Sequence, residues 1–131
     1  MAKSNNMKIK TLNYLLRNIT ETPPSAIYAG LFSSNPTAAN TGTEVAYDGY
    51  ARKQVTFSAP TNVSGVVSVT NSNEVIFPVV PANSGSLSHI GLFTASTGGD
   101  LIYYGTLPTT YALNEGVQPV LIVNSLKISE D

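Results

Sequence analysis

The 131 residues fit one domain, a size at which roughly two-thirds of the unfolded surface can be buried. The net charge is −1 and only 11% of residues are charged, against about 25% in ordinary domains, so the chain has no basic footprint for nucleic acid, and the absence of cysteine excludes disulfides, thiolate chemistry and cysteine-bound zinc. No apolar run approaches the ~18 residues of a membrane span, and the N-terminus lacks a continuous apolar region with a cleavage site, so a soluble, unsecreted chain is expected.

Residues 7–19 place Ile9, Leu12, Leu15 or Leu16, and Ile19 at spacings of three and four, which predicts a short amphipathic helix. Ser4, Asn5 or Asn6 can cap its start, and Pro23-Pro24 prevents its continuation. Short helices gain most of their stability from packing an apolar face, so the expected role is a lid over the open end of a β-domain. The second reading is a docking arm that grips a neighbouring subunit, with Lys8, Lys10 and Arg17 on its polar face. Those cations are too few to make it a membrane-surface helix.

Beyond the helix, turn residues separate candidate strands at 26–32, 50–57, 65–70, 74–80, 87–94, 101–107, 111–113 and 117–128, the last interrupted at Asn124 and weakened by Pro119. Asn71-Ser72-Asn73 reads as a tight hairpin, Ser96-Thr97-Gly98-Gly99-Asp100 as a slightly longer one, and Asn114-Glu115-Gly116 as a third turn. Many short strands with such spacing predict an all-β fold, an antiparallel β-sandwich of jelly-roll-like form with a short N-terminal helix. The expected division is an arm and helix at 1–24 and a sandwich at 25–131. Gly30-Leu31-Phe32 is echoed by Gly91-Leu92-Phe93, as equivalent strands in facing sheets would require. The one long irregular stretch, 33–49, exceeds the usual length of a mere connection.

Catalysis needs a base beside a nucleophile in a shared pocket, and the inventory is poor. His89 is the single histidine and is expected to be a hydrogen-bonded structural residue on the strand face shared with Gly91 and Phe93. Ser64 and Ser86 sit near glycines without the Gly-x-Ser-x-Gly spacing. Glu44 and Asp48, with Asp100 elsewhere, lack the pattern of a calcium loop, and Gly98-Gly99 has neither the spacing nor the following helix of a phosphate loop. No metal or cofactor is expected. Tyr47, Tyr50, Arg52 and Lys53 mix aromatics with positive charge, but Glu44 and Asp48 offset the field that single-stranded nucleic acid would need. Tyr103 and Tyr104 point to opposite faces of their strand. Tyrosine is enriched at protein interfaces because it buries area while keeping a polar handle, so Glu44, Tyr47, Asp48, Tyr50, Arg52, Lys53 and Tyr104 form the candidate subunit interface, and a protein partner is favoured over nucleic acid or membrane.

The loop and strand Gly42-Thr43-Glu44-Val45-Ala46-Tyr47-Asp48-Gly49-Tyr50-Ala51-Arg52, followed by Val55-Thr56-Phe57-Ser58-Ala59-Pro60, then Ile76-Phe77-Pro78, His89-Ile90-Gly91-Leu92-Phe93 and Thr97-Gly98-Gly99-Asp100-Leu101-Ile102-Tyr103-Tyr104-Gly105, resembles small virion proteins of tailed bacteriophages. Such proteins are often labelled tail fibre proteins and are similar to capsid cement and decoration proteins. The chain departs from similar sequences at Ala46-Tyr47-Asp48 and at Asn83-Ser84-Gly85-Ser86, both in loops. The resemblance implies a noncatalytic structural protein of the phage particle, assembled in the bacterial host cytoplasm. The expected function is a capsid cement or decoration protein that bridges capsomers of the major capsid protein or contacts other virion subunits. It would act as a homo-oligomer, trimer preferred. The alternatives are a tail or tail-fibre component and, less favoured, a carbohydrate-binding module on the particle surface.

Overall fold

The computed structural model describes residues 1–130 and is an antiparallel all-β sandwich with one short helix. In chain order the elements are β1 (Ala2–Lys3), α1 (Asn5–Leu16), β2 (Ile27–Phe32), β3 (Lys53–Val55), β4 (Thr61–Val63), β5 (Val66–Thr70), β6 (Val75–Ile76), β7 (Ser86–Phe93), β8 (Leu101–Ala112), β9 (Val120–Leu121) and β10 (Lys127–Glu130). The principal sheet is five-stranded in the order β1-β8-β7-β2-β3, a second is three-stranded in the order β10-β5-β4, and β6 pairs with β9.

Period-two alternation sends Ala29 and Leu31 of β2, Ile90 and Leu92 of β7 and Ile102 of β8 to one face of the principal sheet. There they meet Val75, Phe77, Val80, Leu113, Leu126 and Ile128 of the opposing layer. The opposite face of the same strands carries a second, smaller cluster of Phe32, Phe93 and Leu101, with Tyr104 against it. The Gly-Leu-Phe echo belongs to neighbouring strands of one sheet rather than to facing sheets, and Gly30 sits directly opposite Gly91. A Cβ at Gly91 would lie 3.0 Å from Leu101, Phe32 and Phe93, and one at Gly30 would lie 3.2 Å from Phe93. The glycine pair therefore makes room for the Phe32 and Phe93 rings to stack, with centroids 5.9 Å apart.

The expected strands at 101–107 and 111–113 are one strand, β8. Its pairing with β7 jumps from His89↔Thr106 to Leu87↔Tyr111, so residues 107–110 bulge outward around Pro108. The expected strand at 50–57 contracts to β3, because Tyr50 and Arg52 spend their side chains on the loop before them. The expected strand at 74–80 contracts to β6, and 117–128 divides into β9 and β10 in different sheets, turning where Asn124 adopts φ 65°. The hairpin at 96–100 forms between β7 and β8, with Gly98 and Gly99 at positive φ. A second hairpin joins β4 to β5 through Ser64 and Gly65, also both at positive φ, as a two-residue turn requires. The helix begins and ends earlier than 7–19, capped by Ser4.

Asn71-Ser72-Asn73 is not a hairpin, because β5 and β6 lie in different sheets. Asn71 is fully buried and replaces ladder bonds with its amide: Oδ1 accepts from the Leu126 N–H at 2.8 Å, and Nδ2 donates to the Asn73 and Ile122 carbonyls at 2.9 Å each. It thereby ties the β5–β6 link to the β9–β10 link. At the chain's ends, Lys3 Nζ lies 3.1 Å from Glu130 Oε2, and the Tyr103 hydroxyl donates to Glu130 Oε1 at 2.7 Å. Burial alone would raise the Glu130 pKa, but the bonds from Tyr103 and Lys3 and the Lys3 charge outweigh it and lower the value.

Asn71→Ala strands one buried N–H and two carbonyls, so it is expected to lower stability by about 3 kcal/mol and Tm by roughly 10 °C in a thermal melt; an unchanged Tm would contradict the assignment. The lowered Glu130 pKa means that its contribution is whole above its ordinary value of 4.5 and is lost as the pH falls through the lowered folded value. Glu130 is half exposed, so the effect is small. Lys3→Met should flatten this acid limb in a series of melts from neutral pH downward.

Candidate functional site

Two regions carry the side chains that the sequence singles out. The first is α1. Ser4 is buried and anchors the helix start: its hydroxyl donates to the Leu101 carbonyl at 2.5 Å and accepts from the Met7 N–H at 3.1 Å, while its own N–H reaches the Ile102 carbonyl at 2.9 Å. The Asn5 N–H adds a bond to the Ala38 carbonyl at 2.9 Å. These bonds fix the rotation of the helix, and the side that meets the sheet carries Met7, Lys10 and Thr11, all half-buried, with Lys10 Nζ 3.3 Å from Asp100 Oδ2. The apolar side faces outward: Ile9 is 60% exposed, Leu12 55%, Leu15 66% and Leu16 77%. The helix is therefore not a lid that buries its apolar face. A hydrogen-bonded cap decides its orientation, which periodicity alone does not reveal. Of the candidate docking residues, Lys8 and Arg17 are exposed, Arg17 donating to Asn13 Oδ1 at 3.1 Å, and Lys10 is turned toward the domain.

The second region is the loop 33–49 with the entry to β3. The loop supplies its own contacts. The Ser33 N–H reaches the Thr43 carbonyl at 3.0 Å, the Thr43 N–H reaches Ser34 Oγ at 2.8 Å, and the Val45 N–H reaches the Leu31 carbonyl at 2.9 Å. Gly42 passes so close to Asn35 and Pro36 that a Cβ would lie 2.5 Å from the Asn35 carbonyl oxygen. Val45 and Tyr47 enter the core, Tyr47 only 6% exposed with its hydroxyl donating to the Pro78 carbonyl at 2.6 Å. The Tyr50 hydroxyl accepts from the Leu31 N–H at 2.9 Å and donates to Glu44 Oε1 at 2.7 Å, and its ring stacks on Phe77. Burial, then the bond to Glu44, raises its pKa strongly; burial likewise raises that of Tyr47.

Arg52 completes this brace. Nε and Nη2 grip the two Glu44 oxygens at 2.9 Å each, Nη1 donates to the Ala95 and Gly98 carbonyls at 3.1 and 2.7 Å, and the guanidinium lies 3.5 Å over the Phe93 ring. Glu44, Tyr47, Tyr50 and Arg52 are thus engaged inside the domain. Asp48 is exposed, Lys53 half-exposed, and Tyr104 packs its ring on the small outer cluster.

The chemistry-bearing groups are similarly occupied. His89 lies between Ser88 Oγ, 2.7 Å from Nδ1, and Thr106 Oγ1, 2.8 Å from Nε2. Glu44 is held by Arg52 and Asp100 by Lys10, and among the described residues no three His, Cys, Asp or Glu side chains gather as a metal would require. No helix of the described residues is long and apolar enough to cross a membrane. Sequence reasoning missed an apolar groove of about 500 Å³ beside the bulged part of β8, rimmed by Tyr111, Val117, Val120 and Ile122. Its signal was the apolar content of 117–123, which a continuous strand would have buried.

The description "Podophage GP4 fiber I protein gp80" belongs to a family model that matches residues 2–129, nearly the whole chain. The chain belongs to this family. The expectation of a phage virion protein family is borne out at that level. No curated protein matches the chain.

The brace makes a stability prediction. Arg52→Met leaves the Glu44 carboxylate without its partner and the Phe93 ring uncovered. It should cost about 2 kcal/mol, less than a fully buried pair because both side chains keep some solvent. Arg52→Lys keeps the charge but loses the fork and should fall between it and the parent in a denaturant titration. Equal midpoints for all three proteins would show that the brace contributes nothing.

Proposed function

We propose that the chain is a noncatalytic subunit of a fibre on the phage particle, assembled in the host cytoplasm as a homo-oligomer, trimer preferred, and attached to other virion subunits. The observation that carries this reading is the family match across residues 2–129, whose description is a podophage fibre protein. Two features of the molecule support it. The polar side chains with chemical potential are spent on internal hydrogen bonds, and a group of exposed apolar side chains lies on one preset helix. Both suit a protein that works through contact.

Capsid cementing is the second reading, favoured by the compact sandwich with open strand edges at β3, β4 and the distal half of β8. Such edges and a weakly charged surface would let the domain lie on a shell and bridge neighbours of the major capsid protein. The two readings differ in what the particle loses. Particles assembled without this protein should keep their heat tolerance and lose host adsorption if it is a fibre subunit. Normal adsorption with lowered heat tolerance would overturn the fibre reading in favour of cement, since a protein that binds only the intact shell must stabilise it.

A further inference from the structure

We propose that the outward apolar stripe of α1 is a self-association surface, packed against the same helix of at least two further copies of this chain. The proposal deepens the reading of the chain as a self-assembling particle subunit and rests on it. At 3.6 residues per turn, Ile9, Leu12, Leu15 and Leu16 fall within a stripe roughly 120° wide, directly opposite the Met7, Lys10 and Thr11 side that meets the sheet. Ile9, Leu12 and Leu16 have the three-four spacing of a helix seam, and Leu15 broadens it to the face that a bundle helix uses when it touches two neighbours rather than one.

Nothing in the described residues can cover this face, since α1 is the single helix and the sheet already holds its other side. The ridges of an apolar helix fit the grooves of another helix best, so the complement comes from another chain, and a symmetric copy presents the same stripe. With more than half of each of these side chains in water, the stripe exposes on the order of 450 Å², within the range of the largest apolar patch on a monomer. That is more than half of the ~800 Å² on one side of a stable interface, so the stripe supplies its apolar centre and adjoining polar surface its rim. Lys10 is turned to Asp100, and the charged residue within the stripe's angular range, the exposed Lys8, stands at its N-terminal end, one turn before Leu12. Symmetric packing therefore brings no like charges into the centre. The buried Ser4 cap presets the helix, so little ordering cost opposes association. A helix of 12 residues would not hold such a bundle alone, and its anchorage on the sheet supplies the missing stability.

The test uses the purified full chain, light scattering and two variants. The parent is expected to have the mass of three or more chains. Leu12→Glu combined with Leu16→Glu replaces residues already in water, so the circular dichroism spectrum should be unchanged while the mass falls to one chain. Leu12→Cys places the chain's sole thiol on the seam and should give linked pairs of chains on mild oxidation. An oligomer that survives the double substitution, with no linkage through Leu12→Cys, overturns the helix surface while the fibre reading stands. A parent that is monomeric and whose Leu12→Cys variant links to a different protein on the particle overturns the second copy as occupant. The fibre reading fails separately, by adsorption that persists without the protein.

Discussion

The close approach of β2 and β7 at Gly30 and Gly91 is the constraint on which the rest depends. Their Cβ atoms would occupy the space of the Phe32 and Phe93 rings. Without side chains there, the two rings lie nearly parallel against the outer face of the principal sheet, and the central strands become apolar on both sides. A sheet buried on both faces needs a cover for each. The inner cover is the second sheet with the β6–β9 pair, joined by Val45, Tyr47 and Tyr50; over the outer face lies the Arg52 side chain, gripping Glu44 above Phe93.

That outer cover explains how side chains that resemble a binding site become structural. Arg52 reaches Glu44 because both must close over Phe93, and Tyr50 hydrogen-bonds the β2 backbone at Leu31 because the loop brings it back across the strand. A long loop normally costs entropy to order; here Val45 and Tyr47 bury apolar area in return, and its backbone groups bond to one another. The helix turns Met7, Lys10 and Thr11 to the domain, Met7 against the main core cluster, which leaves its apolar side outward. The arrangement leaves Ile9 and three leucines exposed, a cost that the proposed association with further chains would remove.

Much of the fold was legible in the residues. Period-two apolar spacing identified the strands from 26–32 and 87–94, and Gly98-Gly99 marked the hairpin between β7 and β8. Features set by long-range contacts were not. Asn71 read as a turn because Asn favours turns, yet its amide completes the backbone bonding of two crossovers remote in sequence. β1 is two residues long and has no pattern of its own; it exists because the β8 edge accepts it. The helix was legible as a helix, but its orientation depends on Ser4 meeting the Leu101 and Ile102 carbonyls, the first of them 97 residues away. The candidate interface at Glu44, Tyr50 and Arg52 was readable as polar and aromatic, whereas their inward engagement depends on a carboxylate and a guanidinium meeting across the sheet.

With Arg52 and Glu44 closing over Phe93 within one chain, contact with other copies is left to the helix in the proposed assembly. An electron-microscopy map of the assembled particle, at a resolution that shows side chains, tests it most directly. The Ile9, Leu12 and Leu16 side chains of neighbouring copies should meet around a shared axis, with Arg52 still bound to Glu44 of its own chain. A map in which the helix stripe faces solvent, and Glu44 and Arg52 reach instead to a neighbouring subunit, would contradict it.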